Sequence, residues 1–180
     1  MEVFVRYQDS LWHYSRLFDL PLPIILRSNP HVIPSQLTVG TPIQIPGYIL
    51  RTHTIQPEDT LWKIAQTAQI PLDAIYLVNP LINPIQLQVG QRIQIPQRVT
   101  QRVITDVDQY TYEKLVQHTQ DLLEIYPFIF QDSIGSSVLG KDLIELQIGI
   151  GEKEVHVNGS FHANEWITTP VLMQFLNDYA

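Results

Sequence analysis

The chain has 180 residues, 44% of them hydrophobic, a net charge of −7 and no cysteine. That composition excludes a disordered polymer and a disulfide-stapled miniprotein, and any metal site must draw on His, Asp or Glu. Residues 1–50 carry three basic and three acidic side chains, residues 51–100 four and three, and residues 101–180 four and twelve, so no basic stripe is available for nucleic acid.

No stretch reaches the ~20 apolar residues of a membrane span, and Met1 to Tyr7 lacks the basic head and apolar run of a standard export signal. Synthesis without standard export is therefore the expectation.

Shifted by fifty residues, the first hundred residues align with themselves without a gap. Between 10–46 and 60–96, 16 of 37 positions are identical, among them Leu11, Trp12, Asn29, Pro30, Val39, Gly40 and Ile43. A fixed period at that level of identity means two copies of one structural unit.

Each copy reads as strand, helix, helix, strand. Phe4-Val5 and Thr54-Ile55 begin strands, and Asp9-Ser10 or Asp59-Thr60 then offers a side-chain oxygen to cap a helix. Leu61, Ile64, Ala65 and Ala68 recur at helical spacing, as do Leu11, Tyr14, Ser15 and Phe18, which gives each helix an apolar face. Pro21 and Pro71 suit the start of a second helix, and Asn29-Pro30 and Asn79-Pro80 end it, because the residue before proline is pushed out of the helical region. Arg92 to Ile95 alternates as a strand that Pro96 should close. Trp12 and Trp62, beside apolar partners, are expected in the core, where an aromatic contributes most to so small a unit.

Asp-Thr-Leu-Trp, then Asn-Pro, then Leu-x-Val-Gly-x-x-Ile-x-Ile-Pro resembles the lysin motif, or LysM domain, over about residues 3–47 and 52–97. The resemblance implies binding of N-acetylglucosamine-containing glycans, such as peptidoglycan or chitin, in a groove between two loops. In the second copy these are Gln56 to Thr60, with Pro57, Glu58, Asp59 and Thr60, and Asn79 to Ile82, with Pro80 and Leu81. In the first they are Tyr7 to Ser10, with Asp9 and Ser10, and Asn29 to Val32, with Pro30. The same residues also suit plain capping and turn roles. The first copy departs from the pattern at Gln8, His13 and Tyr14.

Gln97 to Asp108 reads as a linker. Thr111 then caps a helix running to Tyr126, with Leu115, Leu122 and Tyr126 on one face and Pro127 as its stop. Leu143 to Ile148 and Glu154 to Asn158 read as two strands around a Gly151-Glu152-Lys153 turn. Thr169-Pro170 opens a helix whose Leu172, Phe175, Leu176 and Tyr179 share a face.

Between the second strand and that helix lies Gly159-Ser160-Phe161-His162-Ala163-Asn164-Glu165-Trp166. A His and a carboxylate three residues apart can point at one metal, and their donor atoms suit zinc. With Tyr110-Thr111-Tyr112, the run Ser133 to Lys141, and His162 to Thr168 in that order and spacing, residues 108–180 resemble the opening of zinc carboxypeptidases of the carboxypeptidase A type. The resemblance implies zinc as cofactor, with His162 and Glu165 as its first two ligands. The family's third ligand, carboxylate-anchoring arginines, tyrosine and general-base glutamate all fall beyond Ala180, so no catalytic base is named within this chain. His118 and His156 are not expected to substitute. Asn164 stands where digestive members have a substrate-contacting arginine. Joined to the two repeats, that form is similar to bacterial γ-D-glutamyl-meso-diaminopimelate peptidases, which cut peptidoglycan stem peptides.

The expected fold class is α+β: two small modules over 1–48 and 51–97, a linker over 98–108, and over 109–180 the front of an α/β peptidase domain whose sheet is left open. The expected function is that of a cell-wall or spore-associated metallopeptidase whose truncated chain does not turn over alone. The alternative is a peptidoglycan- or chitin-binding protein with a vestigial tail.

Overall fold

The computed structural model describes residues 1–162 and 164–180. The chain divides into two compact units, Met1–Val99 and Thr100–Ala180.

In the first unit, β1 (Glu2–Phe4), α1 (Leu11–Leu17), α2 (Leu22–Ser28) and β2 (Pro42–Gln44) are followed by β3 (Tyr48–Thr54), α3 (Leu61–Ala68), α4 (Leu72–Val78) and β4 (Arg92–Arg98). The strand, helix, helix, strand order thus occurs twice. Both sheets are antiparallel two-stranded ribbons, and Glu2 faces Gln44 as Thr52 faces Gln94, the same register fifty residues apart.

The caps are local. Ser10 Oγ accepts the His13 N–H at 3.1 Å and Thr60 Oγ1 that of Lys63 at 3.2 Å, each satisfying a donor that the first helical turn leaves open. Pro21 and Pro71 precede the second helices, and Asn29 and Asn79 end them. Pro96 does not close β4, which continues to Arg98 with Pro96 opposite Leu50. A two-stranded ribbon tolerates this because each strand keeps a free edge, where a missing N–H breaks no ladder bond.

Leu61, Ile64 and Ala65 are buried, with Ala68 at the surface, and Leu11 and Tyr14 of α1 are buried together with Phe18 just after it. The two tryptophans are not core. Trp12 is 64% exposed and Trp62 62%. Each directly follows the buried leucine that opens its helix, and a one-residue step turns a side chain about 100° around the axis, onto the solvent face.

The second repeat's core gathers Ile55, Leu61, Ile64, Ala65, Ile75 and Ile93. The first repeat's core holds Val3, Val5, Leu11, Tyr14, Phe18, Ile25, Ile43 and Ile45, and also takes in Tyr48, Ala74 and Leu77 from the second. Helix α4 is therefore shared, with Ile75 toward one core and Ala74 and Leu77 toward the other. The Tyr48 hydroxyl donates to the Phe18 carbonyl at 2.9 Å.

In the second unit, α5 (Tyr112–Ile125) is capped by Thr111 and ends at Tyr126 as its sequence indicates. Leu122 and Tyr126 are buried and Leu115 half-buried. Strand β5 (Phe130–Ser136) pairs antiparallel with β6 (Asp142–Gln147), with an irregularity between Ser133 and Ser136. The partner of β6 is thus the segment before it. Glu154 to Asn158, expected as a strand, is exposed and outside any strand. Its polar and apolar residues alternate as a strand's would, but strand structure needs a hydrogen-bonded neighbour, and no strand among the described residues pairs with it.

Helix α6 (Thr168–Tyr179) buries Pro170, Met173 and Asn177, while on the face shared by Leu172, Phe175, Leu176 and Tyr179 the two aromatics are 63% and 66% exposed. Asn177 Oδ1 accepts the backbone N–H groups of Val103 and Ile104 at 2.8 and 2.9 Å, Arg102 pairs with Asp178, and Ile104 is fully buried. Part of the expected linker is thus packed structure, held by a polar side chain that an apolar-periodicity rule discounts.

Candidate functional site

The loops expected to bind glycan are built alike in both repeats. Asp9 Oδ2 accepts the Arg6 N–H at 3.0 Å and Asp59 Oδ2 that of Gln56 at 2.8 Å, closing the same side-chain turn. Gln8 and Glu58 both take φ of 67° at its tip. The Asn79 amide donates to the Ile75 and Gln94 carbonyls at 2.8 and 2.7 Å and its oxygen accepts the Gln94 N–H at 2.8 Å. Asn29 does the same with Ile25 and Gln44. These amides tie the Asn-Pro loop to the second strand of each repeat, so a ligand meets the loop they hold, not their bonded atoms.

Pro57, Glu58, Thr60, Ser10, Pro30 and Pro80 are exposed, and Leu81 is 97% exposed. Around the second Asn-Pro loop lies a cleft of about 240 Å³, lined by Asn79, Pro80, Leu81, Ile82, Gln91, Arg92 and Ile93. Gln91 and Arg92 line it as well, although the alternation that starts at Arg92 indicates only a strand.

The two loop aspartates differ in their company. Asp59 is half-buried and also bonds His53 Nε2 at 2.8 Å. The Gln56 N–H, with His53 beside it, holds its carboxyl below the usual range. Burial would raise the Asp9 carboxyl, but bonds from the Arg6 guanidinium and the Tyr14 hydroxyl, the latter 2.7 Å away, outweigh it and lower the value. Arg6 also grips Asp73 of α4 through two bonds of 2.8 and 2.7 Å, and His13 Nε2 lies 3.2 Å from the same carboxylate.

The second candidate site follows Gly159. A Cβ there would stand 3.0 Å from the Thr169 backbone nitrogen and 3.1 Å from Leu172 Cδ1, so this loop rests against the start of α6 with no room for a side chain. Thr168 Oγ1 accepts the Ser160 N–H at 2.5 Å and donates to the Glu165 carbonyl at 2.8 Å. Glu165 N–H donates to the His162 carbonyl at 3.0 Å, and His162 Nδ1 meets Glu165 Oε1 at 2.9 Å. The two side chains therefore converge at an open surface, 66% and 43% exposed. Asn164 is exposed beside them, and Ala163 lies outside the described residues.

Imidazole nitrogen plus carboxylate oxygen fits zinc as two of the three protein ligands usual at a catalytic site. Among the described residues no group of three or more His, Asp or Glu could hold a metal. His118 is buried, its Nδ1 3.0 Å from the Tyr110 hydroxyl, and burial pushes that hydroxyl up to about 12. His156 is exposed on the unpaired segment.

Two family models match parts of the chain, and known proteins resemble it over different lengths. A LysM domain model matches residues 53–96 and a zinc carboxypeptidase model residues 115–180. The chain is 57% identical over 179 residues to Gamma-D-glutamyl-L-diamino acid endopeptidase 1 of Lysinibacillus sphaericus, covering 99% of this chain and 45% of that protein. It is 42% identical over 73 residues to protein YqgT of Bacillus subtilis (strain 168), covering 39% of this chain and 19% of that one. Among solved structures, the LysM domain of Volvox carteri chitinase is 50% identical over 27% of this chain and 98% of its own, with a TM-score of 0.26. The chain thus spans less than half the length of the curated relatives it matches. No helix among the described residues is long and apolar enough to cross a membrane.

Proposed function

We propose that this polypeptide belongs to a peptidoglycan-acting metallopeptidase, in which the repeats hold the glycan and residues 100–180 form the front of the peptidase domain. The observation that carries the reading is the order of the parts in one chain: a LysM match, then a zinc carboxypeptidase match, within a sequence 57% identical throughout to an endopeptidase. Both repeats are taken as LysM modules, the second as the stronger binder.

The glycan-binding surface is assigned to Pro57, Glu58, Asp59, Thr60 and the Asn79–Ile82 loop, with Asp9, Ser10, Asn29 and Pro30 as the first repeat's counterpart. Loop N–H and C=O groups can bond acetamido groups while Leu81 packs on a sugar face. His162 and Glu165 would hold zinc, which when fully ligated acidifies a bound water and polarises a carbonyl. Asn164 would contact the stem peptide, offering neutral hydrogen bonds where an arginine would impose a charge. The 180-residue chain alone is assigned weak zinc binding and no turnover. The bond assigned to the whole protein is the γ-D-glutamyl-diaminopimelate bond, a member of the γ-D-glutamyl-L-diamino acid class for which the Lysinibacillus sphaericus relative is named.

A non-catalytic glycan binder is the second reading, favoured by the two-donor zinc site, whose His and Glu bond each other at 2.9 Å. One assay separates the two: a γ-D-glutamyl-diaminopimelate peptide incubated with the 180-residue chain, with zinc and with a chelator. Zinc binding that His162→Ala abolishes, without cleavage, is the expected result. Chelator-sensitive cleavage would refute the incomplete site, and an absence of any zinc binding would leave the binder reading.

A further inference from the structure

The cleft beside the Asn79–Ile82 loop carries one group that the glycan reading leaves unused. Its floor is apolar, since Ile82 and Ile93 belong to or pack on the second repeat's core, and Leu81 stands on its rim. Its geometry is fixed from both sides. Asn79 ties the loop to Gln94, while Ile55 N–H donates to the Gln91 carbonyl at 2.8 Å and Gly90 N–H to the Ile55 carbonyl at 2.9 Å.

On this fixed frame stand two side chains with donors to spare. Gln91 Oε1 accepts the Gln88 N–H at 3.1 Å, which leaves its amide N–H groups free to donate. Arg92 is exposed, and its guanidinium has neither hydrogen bond nor ion pair among the described residues. The other arginine so near a repeat's loop, Arg6, is fully engaged by two carboxylates.

The chain contains its own control. Arg92 faces Thr54 across the ribbon as Pro42 faces Phe4 in the first repeat, so the matching place there has no cation. Residues 41–43 of the first repeat are Thr, Pro and Ile where the second has Gln, Arg and Ile.

We propose that Arg92, with Gln91, makes the second repeat's cleft selective for amino-sugar glycans that bear carboxylates over neutral N-acetylglucosamine polymers. The inference rests on the glycan-binding reading above and decides between its two glycan classes. A guanidinium presents a planar fork of N–H donors that matches a carboxylate in a two-point bond, and it stays charged at any working pH. Peptidoglycan strands supply carboxylates on their stem peptides, whereas chitin supplies none. The apolar floor and loop amides serve the sugar in either case, and the arginine adds an increment for the charged one alone.

The test is calorimetric titration of the whole 180-residue chain with two probes, at low and physiological salt. One is the neutral tetramer of N-acetylglucosamine, the other a soluble peptidoglycan fragment with free stem-peptide carboxylates. Arg92→Gln should weaken the carboxylated probe about two- to five-fold, the scale of one solvent-exposed charge pair, and remove part of its salt dependence. Its binding of the neutral tetramer should be unchanged, and Arg92→Lys should fall between. Because the side chain bonds nothing among the described residues, the thermal melt of each variant should match the parent. Equal loss on both probes, or loss on neither, overturns the proposal. If the parent binds neither probe, the glycan reading fails and this inference with it; if it binds both equally and without salt dependence, only the selectivity fails.

Discussion

The two repeats share a backbone and differ in what their side chains are used for. Each has the aspartate turn, the residue at φ 67°, the Asn staple and the same strand register. In the first, the loop carboxylate is drawn into a cluster of Arg6, Tyr14, His13 and Asp73 that joins it to the second repeat, and the Asp9 side chain keeps only 7% exposure. In the second, the equivalent Asp59 side chain keeps 22% and bonds only residues of its own repeat. Duplication thus preserved the frame while one copy's loop became an internal joint and the other's stayed beside an open cleft. The LysM model matches the second copy, in line with that division.

The joint is apolar first and ionic second. Leu77, 5% exposed, sits on a second-repeat helix but in the first repeat's core. Leu77→Ala should cost roughly 2–4 kcal/mol in urea denaturation, the range for a large-to-small change in a packed core. Hydrogen exchange should show both repeats losing protection together, and loss confined to residues 51–99 would mean that the repeats unfold independently.

Arg6→Ala comes next. It strips donors from two carboxylates, one almost fully covered, and should cost about 1–2 kcal/mol after discounting for partial exposure. Gln56→Ala, the matching change in the second repeat, should stay within ~0.5 kcal/mol because its side chain bonds only one exposed carbonyl. Equal costs for the pair would erase the distinction between joint and open loop.

The same cluster sets an acid limit. Asp73 is held below its ordinary 3.8 by its bond from Arg6, which outweighs burial, and Asp9 is also lowered. A carboxylate lowered by folding adds stability that is complete above the unfolded value and is lost as pH falls through the folded one. Urea midpoints should therefore drop as pH falls below about 4, the unfolded carboxylate range, and Arg6→Ala should flatten that drop.

The smallest effect should come from the tryptophans. Trp12→Ala and Trp62→Ala should each change stability by no more than ~0.5 kcal/mol, as surface substitutions do, where a buried tryptophan would cost about 3–5. A loss of core size at either position would contradict their exposure.

Much of the local structure was legible because its causes are local. Ser10, Thr60 and Thr111 cap their helices within three residues, the Asn-Pro pairs stop α2 and α4 through proline's own sterics, and the repeat announced a duplicated frame. His162 and Glu165 were readable as a pair because three residues of loop bring their atoms to 2.9 Å. The tertiary structure decided what depends on distant partners. It turned Trp12 and Trp62 outward, chose the α6 face that carries Asn177 to the Val103 and Ile104 amides, gave β6 its neighbour in β5, and set Arg6 on Asp73 sixty-seven residues away. It also gathered Gln91 and Arg92 around the Asn79 loop. Periodicity says which residues share a face, but only the packing partner decides which face is covered and whether a bonded polar side chain belongs there.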